Sequence, residues 1–495
     1  MENETNIDQS ILDFALPKEY SSTEIFTTAD HDPCHMYQND GSGICSAEAF
    51  DNSSIVACEN FVYDHSLFPE TLTTKLDLVC EEESKRRLLS TIMMLGLMIG
   101  SLIGGRISDR FGRKRAAIGS VVVIVPTVFF GGFAQNYATY AVLRLITCSS
   151  LPVMWVSMHS MTLEVFDKHH RKSVVIVKDF LWPSAQMILI LIVYLARHWV
   201  QLHFWIGGLG LIAFPCLYLI PESPRWLANN GRKNEAEEIL LKAAKWNRKT
   251  VTVDQTEQIR QVLDKVEKDS KHQMEKNLNI IDLFKKANVK KTLIVLFNWI
   301  TACLSSYTLL LNSTRLHGDL FINFLLSAVL GDIPGTLCLM FTLTHFSRRA
   351  NLCFFQTVTG ICCLILAFVP KENTYVVLVF FLIGKCGTGA AFLIVWVVTA
   401  ELYPTNLRSQ AVGFCSTVAR VFSLLCPFVA TLAAYWKPLP MVILGVPGLI
   451  AAGLAFLIPE TDGVELPQNM KDTLKDMTEL EPMTATEKEE KEQKE

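Results

Sequence analysis

Eleven apolar stretches run along this chain, at 88–105, 116–135, 138–162, 173–195, 199–220, 291–313, 319–343, 350–369, 375–399, 409–434 and 439–458. Each is roughly 18–25 residues long, enough to cross ~30 Å of hydrocarbon. A segment in that medium must satisfy its own backbone hydrogen bonds, so the pattern predicts an all-α membrane protein. Composition agrees. Half of the 495 residues are hydrophobic and 19% are charged, with a mean hydropathy of +0.29 that few soluble chains reach. The net charge of −4 points to no nucleic-acid partner, because the basic residues are spread over loops and the acidic excess sits in the two tails.

Basic residues orient the spans. Behind Leu88–Ile103, the turn GGRISDRFGRKR (104–115) holds five Arg or Lys residues, and short loops this basic lie in the cytoplasm. DKHHRK (167–172), HFSRR (345–349), Arg408 and the long 221–290 segment fall on the same side, whereas 135–138, 312–318 and 370–374 carry few charges. The reading gives an extracellular segment 1–87, a first membrane half 88–220, a cytoplasmic helical loop 221–290, a second membrane half 291–458 and a disordered cytoplasmic tail 459–495. In the loop, 234–246 and 253–268 show the three-and-four spacing of amphipathic helices. Glycosylation acceptors at Asn3 and Asn52 share the outer segment with Cys34, Cys45, Cys58 and Cys80. Four cysteines outside the cell suggest two disulfides, with three connectivities open. A third acceptor, Asn312, lies too close to a span end for ready modification. The other ten cysteines read as packing residues.

The two halves repeat. Glu164 and Arg171 are seven apart, as are Glu401 and Arg408, and Glu401 follows Glu164 by 237 residues. Glu460 follows Glu222 by 238 residues and Arg349 follows Arg113 by 236. Three motifs at one offset indicate a parallel duplication about the membrane normal, an architecture found among secondary transporters.

On these motifs the chain resembles the major facilitator superfamily, and within it the organic cation, anion and zwitterion branch, solute carrier family 22. The resemblance runs from about Cys34 to Pro467. It is carried by YDHSLFPETLTTKLDLVC (63–80), SDRFGRK (108–114), PESPRWL (221–227), GK (384–385), AELYPTNLR (400–408) and STVARVFSLLCPF (416–428). It implies two pseudo-symmetric helical halves around a central cavity, a plasma-membrane location and transport of small organic ions by alternating access. It also implies twelve spans, the first ahead of the cysteine-bearing segment. Residues 1–33 hold no apolar run longer than four or five residues, so the expectation is eleven spans of twelve, in an incomplete or alternatively started chain.

Ionisable groups at bilayer depth are candidates for function. Lys385 lies ten residues into its span and Arg420 eleven into its own, each ~15 Å deep at 1.5 Å per residue. Two cations would attract a carboxylate or sulfate, which Arg holds bidentately. The resemblance implies Arg at position 420 in anion and carnitine-type members and an acid there in cation members. Asp332 offers the other reading, an internal ion pair, and Thr336 replaces a Lys of the anion-transporting members. The resemblance also places Tyr307, Trp182, Phe392 and Trp396 on the cavity wall, with helix packing as the alternative. Asp109, Arg110, Arg113, Glu164, Arg171, Glu222, Arg225, Glu401 and Arg408 resemble the family's cytoplasmic gate, a charge set joining the halves when the cavity faces out. A solvated basic surface is the alternative.

No phosphate-cradling glycine loop, metal-spaced His/Cys cluster or nucleophile triad is present in the sequence, so enzymatic chemistry, cofactors and metals lack support. The expected function is transport of organic anions or carnitine-like zwitterions. An organic cation transporter and a non-transporting receptor or regulatory protein are the alternatives. A sugar porter is disfavoured, because span 291–313 lacks the paired Gln of that class.

Overall fold

The computed structural model describes residues 35–39, 50–57, 63, 65, 67–166, 168–249, 251–275, 283–285, 289–313, 319–370, 373–403 and 405–460. Among them, nine helices are long and apolar enough to cross a membrane, and shorter apolar stretches at Phe180–Ala196 and Leu439–Ala455 bring the number to the eleven expected. Ahead of them β1 (His35–Asn39) and β2 (Phe50–Ala57) pair antiparallel, an addition to the expected helices. Asn3, Cys34, Cys45 and Cys58 lie outside the described residues, as does the side chain of Asn52. Cys80 is disulfide-bonded. The other described cysteines are free.

After a short α1 (Leu72–Lys75) come the helices of the first half: α2 (Glu83–Phe111), α3 (Arg113–Gly131), α4 (Tyr137–Val165), α5 (Lys168–Ala196) and α6 (Trp199–Leu219). Helix α2 begins five residues before the expected Leu88 and continues through the basic turn to Phe111, because charged residues prolong a helix where it leaves the bilayer. It stops at Gly112, whose φ of +103° is open to glycine. A Cβ there would also meet Glu222 Oε2 at 2.4 Å. At Gly100 a Cβ would come within 2.1 Å of the Ser149 carbonyl, so a glycine is what lets α2 and α4 touch.

The loop between the two halves forms α7 (Pro224–Asn229), α8 (Lys233–Trp246) and α9 (Val253–Glu275). Their apolar faces meet in a small core of Trp226, Leu227, Ala228, Ala236 and Leu263. Arg260 bridges Glu237 across it at 2.9 Å.

The second half comprises α10 (Val289–Asn312), α11 (Leu320–Leu326), α12 (Ile333–His345), α13 (Arg348–Phe368), α14 (Thr374–Leu402), α15 (Thr405–Ser423), α16 (Cys426–Val429) and α17 (Leu439–Ala455). A π-helical turn, Ser327–Asp332, joins α11 to α12 within one span. The largest core packs α10, α14 and α15 around Trp299, Ile394 and Ala419. The halves meet where α5 lies against α11 and α12, and where α2 lies against α15 and α16.

Candidate functional site

Helices α10, α14 and α15 supply the deep cluster. The indole of Trp299 is buried and donates to Thr399 Oγ1 at 2.8 Å. That bond fixes its ring against Trp396 at 4.7 Å and Phe392 at 6.1 Å. Four residues apart on α14, Phe392 and Trp396 share one face. From the first half, the His159 ring reaches Trp396 at 6.4 Å. Tyr307 packs against the same core from α10.

Arg420 projects from the last turn of α15. Its guanidinium donates through Nη1 to the Ser416 hydroxyl and to the Ser416 carbonyl at 3.3 Å. Nε is buried without a hydrogen-bond partner, and no acid pairs with Arg420 among the described residues. A guanidinium beside Ser416, with hydrogen-bonding capacity unspent, can take an anionic group.

Lys385 is in a different position. Its ammonium lies 3.3 Å from Asp332 Oδ2 and donates to Ser327 Oγ at 2.6 Å. Of its two readings, the internal ion pair is the one the structure contains, and Lys385 is not a second uncommitted cation. The π turn places Ser327 and Asp332 together on that ammonium. Gln186 of α5 donates to the same Asp332 oxygen at 2.8 Å, so the network joins the two halves. Trp182 stands apart from the aromatic cluster, half exposed on α5.

The charges expected at the gate form two similar sets. Arg113 binds Glu164 through Nη2 at 2.9 Å and Nε at 3.2 Å, Asp109 at 2.7 Å, and the Ser108 carbonyl at 2.9 Å. In the second half, Arg348 approaches Glu401 at 3.5 Å and donates to the Leu343 carbonyl, five residues back, at 3.0 Å. The repeat partner of Arg113 is therefore Arg348. The expected Arg349 instead lies 3.9 Å from Glu460. Glu222 accepts the Lys114 N–H at 3.0 Å and Glu460 the Arg348 N–H at 3.0 Å, each completing a helix N-terminus.

These contacts join helices of one half to each other. Arg110 lies over the Phe111 ring at 5.6 Å and Arg225 is exposed. The side chains of Arg171 and Arg408 lie outside the description. Sequence reasoning missed Arg348, Gln186 and Trp299. Arg348 could have been found from the adjacent arginines of HFSRR, either of which fits the repeat within one residue.

Comparison with known proteins follows the same lines. The sequence profile of the family described as "Sugar (and other) transporter" matches residues 50–470. The chain is 32% identical over 418 residues to the organic cation transporter protein of Drosophila melanogaster, covering 84% of this chain and 76% of the relative. It is 31% identical over 424 residues to organic cation/carnitine transporter 2 of Homo sapiens, covering 84% and 74%. The inward-open xylose transporter XylE from E. coli superposes with a TM-score of 0.62 at 17% identity, over 82% of this chain and 93% of that one, which shows the fold. The chain thus belongs to the sugar (and other) transporter family of the major facilitator superfamily, in its solute carrier 22 branch of multi-pass membrane transporters, which are not enzymes.

Proposed function

We propose that the chain is a secondary-active or facilitative transporter at the plasma membrane for organic anions or carnitine-like zwitterions, working by alternating access. The observation that carries this is Arg420, a guanidinium deep in a span with no acid beside it among the described residues and a buried Nε unpartnered. Such a group is costly in a membrane unless a ligand anion completes it. The rings of Trp299, Phe392 and Trp396 in the same half suit an apolar body or an ammonium group. Relatives named for organic cations and for carnitine fit a substrate that carries both charges. Residues 1–87 then face outward, with glycans on Asn3 and Asn52.

Uptake of a labelled carnitine-like zwitterion, an aryl carboxylate and a quaternary ammonium ion tests the reading. The wild type should take up the first two saturably. Arg420→Ala should lower apparent affinity for both roughly tenfold or more while surface expression holds, because one charge-assisted contact is worth ~1.5–3 kcal/mol. Uptake of the quaternary ion alone, indifferent to Arg420→Ala, would make this an organic cation transporter. Saturable uptake of none would make it a receptor or regulatory protein on a transporter fold.

A further inference from the structure

We propose that the end of α8 is a membrane-surface contact, in which the indole of Trp246 enters the headgroup layer and Lys242, Lys245, Arg248 and Lys249 hold anionic lipid headgroups. It rests on the reading that the basic loops face the cytoplasm, the side on which anionic lipids are concentrated.

The apolar stripe of α8 outruns its cover. Ala236, Ile239, Ala243 and Trp246 recur three and four apart, which is one face of a helix. Ala236 and Ile239 lie in the core shared with α7 and α9. Two turns beyond Ile239 the same face ends in Trp246, which is 82% exposed. An indole is amphipathic, and its preferred place is the boundary between water and hydrocarbon.

Charge surrounds that indole. Lys242, Lys245, Arg248 and Lys249 are all exposed, and none has an ion-pair partner among the described residues. Toward the start of α8 the charges pair off, Arg232 with Glu235, Lys233 with Asp264 and Arg260 with Glu237. From 242 to 254 the four cations meet one acid, Asp254, which accepts from Gln258 Nε2 at 3.2 Å. The helix dipole favours cations at this end, yet it gives no reason for an exposed indole among them. Arg248 takes a φ of +54°, the left-handed conformation that glycine usually fills past a helix end. Its N–H donates to the Lys245 carbonyl at 3.0 Å, and the Lys249 N–H to the Ala244 carbonyl at 3.0 Å. The last two cations are therefore fixed at the helix end by a formed cap.

Reach separates a lipid surface from other anionic partners. Trp226 of α7 ties the loop to the Asp109 carbonyl near the end of α2, and α8 is 14 residues long, about 21 Å. Held that near the bilayer, the patch meets headgroups without capturing a soluble partner. The stretch 461–495 carries eleven acids but interleaves five lysines, a poor match for four unpaired cations.

The test follows backbone hydrogen exchange of residues 243–253 in the full chain, held in phosphatidylcholine nanodiscs with and without phosphatidylserine. Both leaflets carry the lipid, so the outcome does not depend on which face the loop takes. The anionic lipid should slow exchange about tenfold or more, since each Lys or Arg at such a surface is worth about fivefold in occupancy. Raising the salt should reverse the effect. Trp246→Ser, and separately Lys245→Gln with Lys249→Gln, should lose most of the slowing. Exchange around Leu227 should stay unchanged in both variants, which shows the loop still folded. Equal exchange in the two nanodiscs overturns the proposal. So does slowing that disappears when residues 461–495 are removed, which would make that stretch the occupant. Slowing produced in neutral nanodiscs by free glycerophosphoserine also overturns it, since the patch would then hold a soluble anion. No transport substrate is present, so failure here leaves the transport reading untouched.

Discussion

At the level of single residues, charge placement follows from what each group can reach. Lys385 and Asp332 are both nearly buried and answer each other. Removing one strands the other, at a cost of about 3–5 kcal/mol. Asp332→Asn should lower the melting temperature in detergent clearly, and Lys385→Met added to it should recover most of the loss; an additive double mutant would deny the coupling. Arg348→Ala should destabilise as Arg113→Ala does, with a double-mutant cycle against Glu401→Ala showing coupling. Outside the bilayer, Glu70 accepts Trp199 Nε1 at 3.0 Å and lies 3.3 Å from both Lys75 and His198. Burial works to raise its pKa, but these hydrogen bonds and charges outweigh burial and hold it below its ordinary 4.5. A lowered carboxylate stabilises above its unfolded pKa and loses that contribution as pH falls through the folded one. The stability gap between wild type and Glu70→Gln should therefore be steady on the alkaline side of about 4.5 and close below it, as thermal melts across pH would register.

Elements were legible wherever hydrophobic period and charge agree. The eleven apolar stretches are helices, and the amphipathic stretches at 234–246 and 253–268 are α8 and α9. The π turn at Ser327–Asp332 was not legible, because hydropathy records that a segment is apolar and is blind to which carbonyl each N–H selects. The loop helices are held to the membrane half by Trp226, whose Nε1 donates to the Asp109 carbonyl at 2.7 Å. Trp226→Phe should cost about 0.5–1.5 kcal/mol for that bond. Leu227→Ala, emptying the small core, should cost about 2–5 kcal/mol. Limited proteolysis of the loop should rank the two variants in that order.

For the whole molecule, the contacts between halves determine how access could alternate. At the ends assigned to the outside, Phe321 of α11 packs on Tyr194 of α5 at 5.4 Å and on Phe68 of the outer segment at 5.7 Å. Opening that side must separate these rings. Phe321→Ala should raise labelling of Phe392→Cys by an impermeant maleimide added outside; unchanged labelling would mean the rings do not close the path. At the opposite ends of the helices, Arg113–Glu164 and Arg348–Glu401 each bind within one half. Breaking either pair should loosen that half before it shifts the balance between inward and outward states.

By itself the sequence marked the apolar stretches that are helices and the duplication, since each is written in local composition or in a fixed offset. It also marked Arg420 and Lys385 as deep cations. Only the tertiary structure decided that they differ, because pairing depends on which helix faces which: α14 turns Lys385 onto Asp332, and α15 leaves Arg420 without an acid among the described residues. The same holds for Arg348 over Arg349. Adjacent residues on a helix point about 100° apart, and an offset counted along the chain does not register which of them meets Glu401.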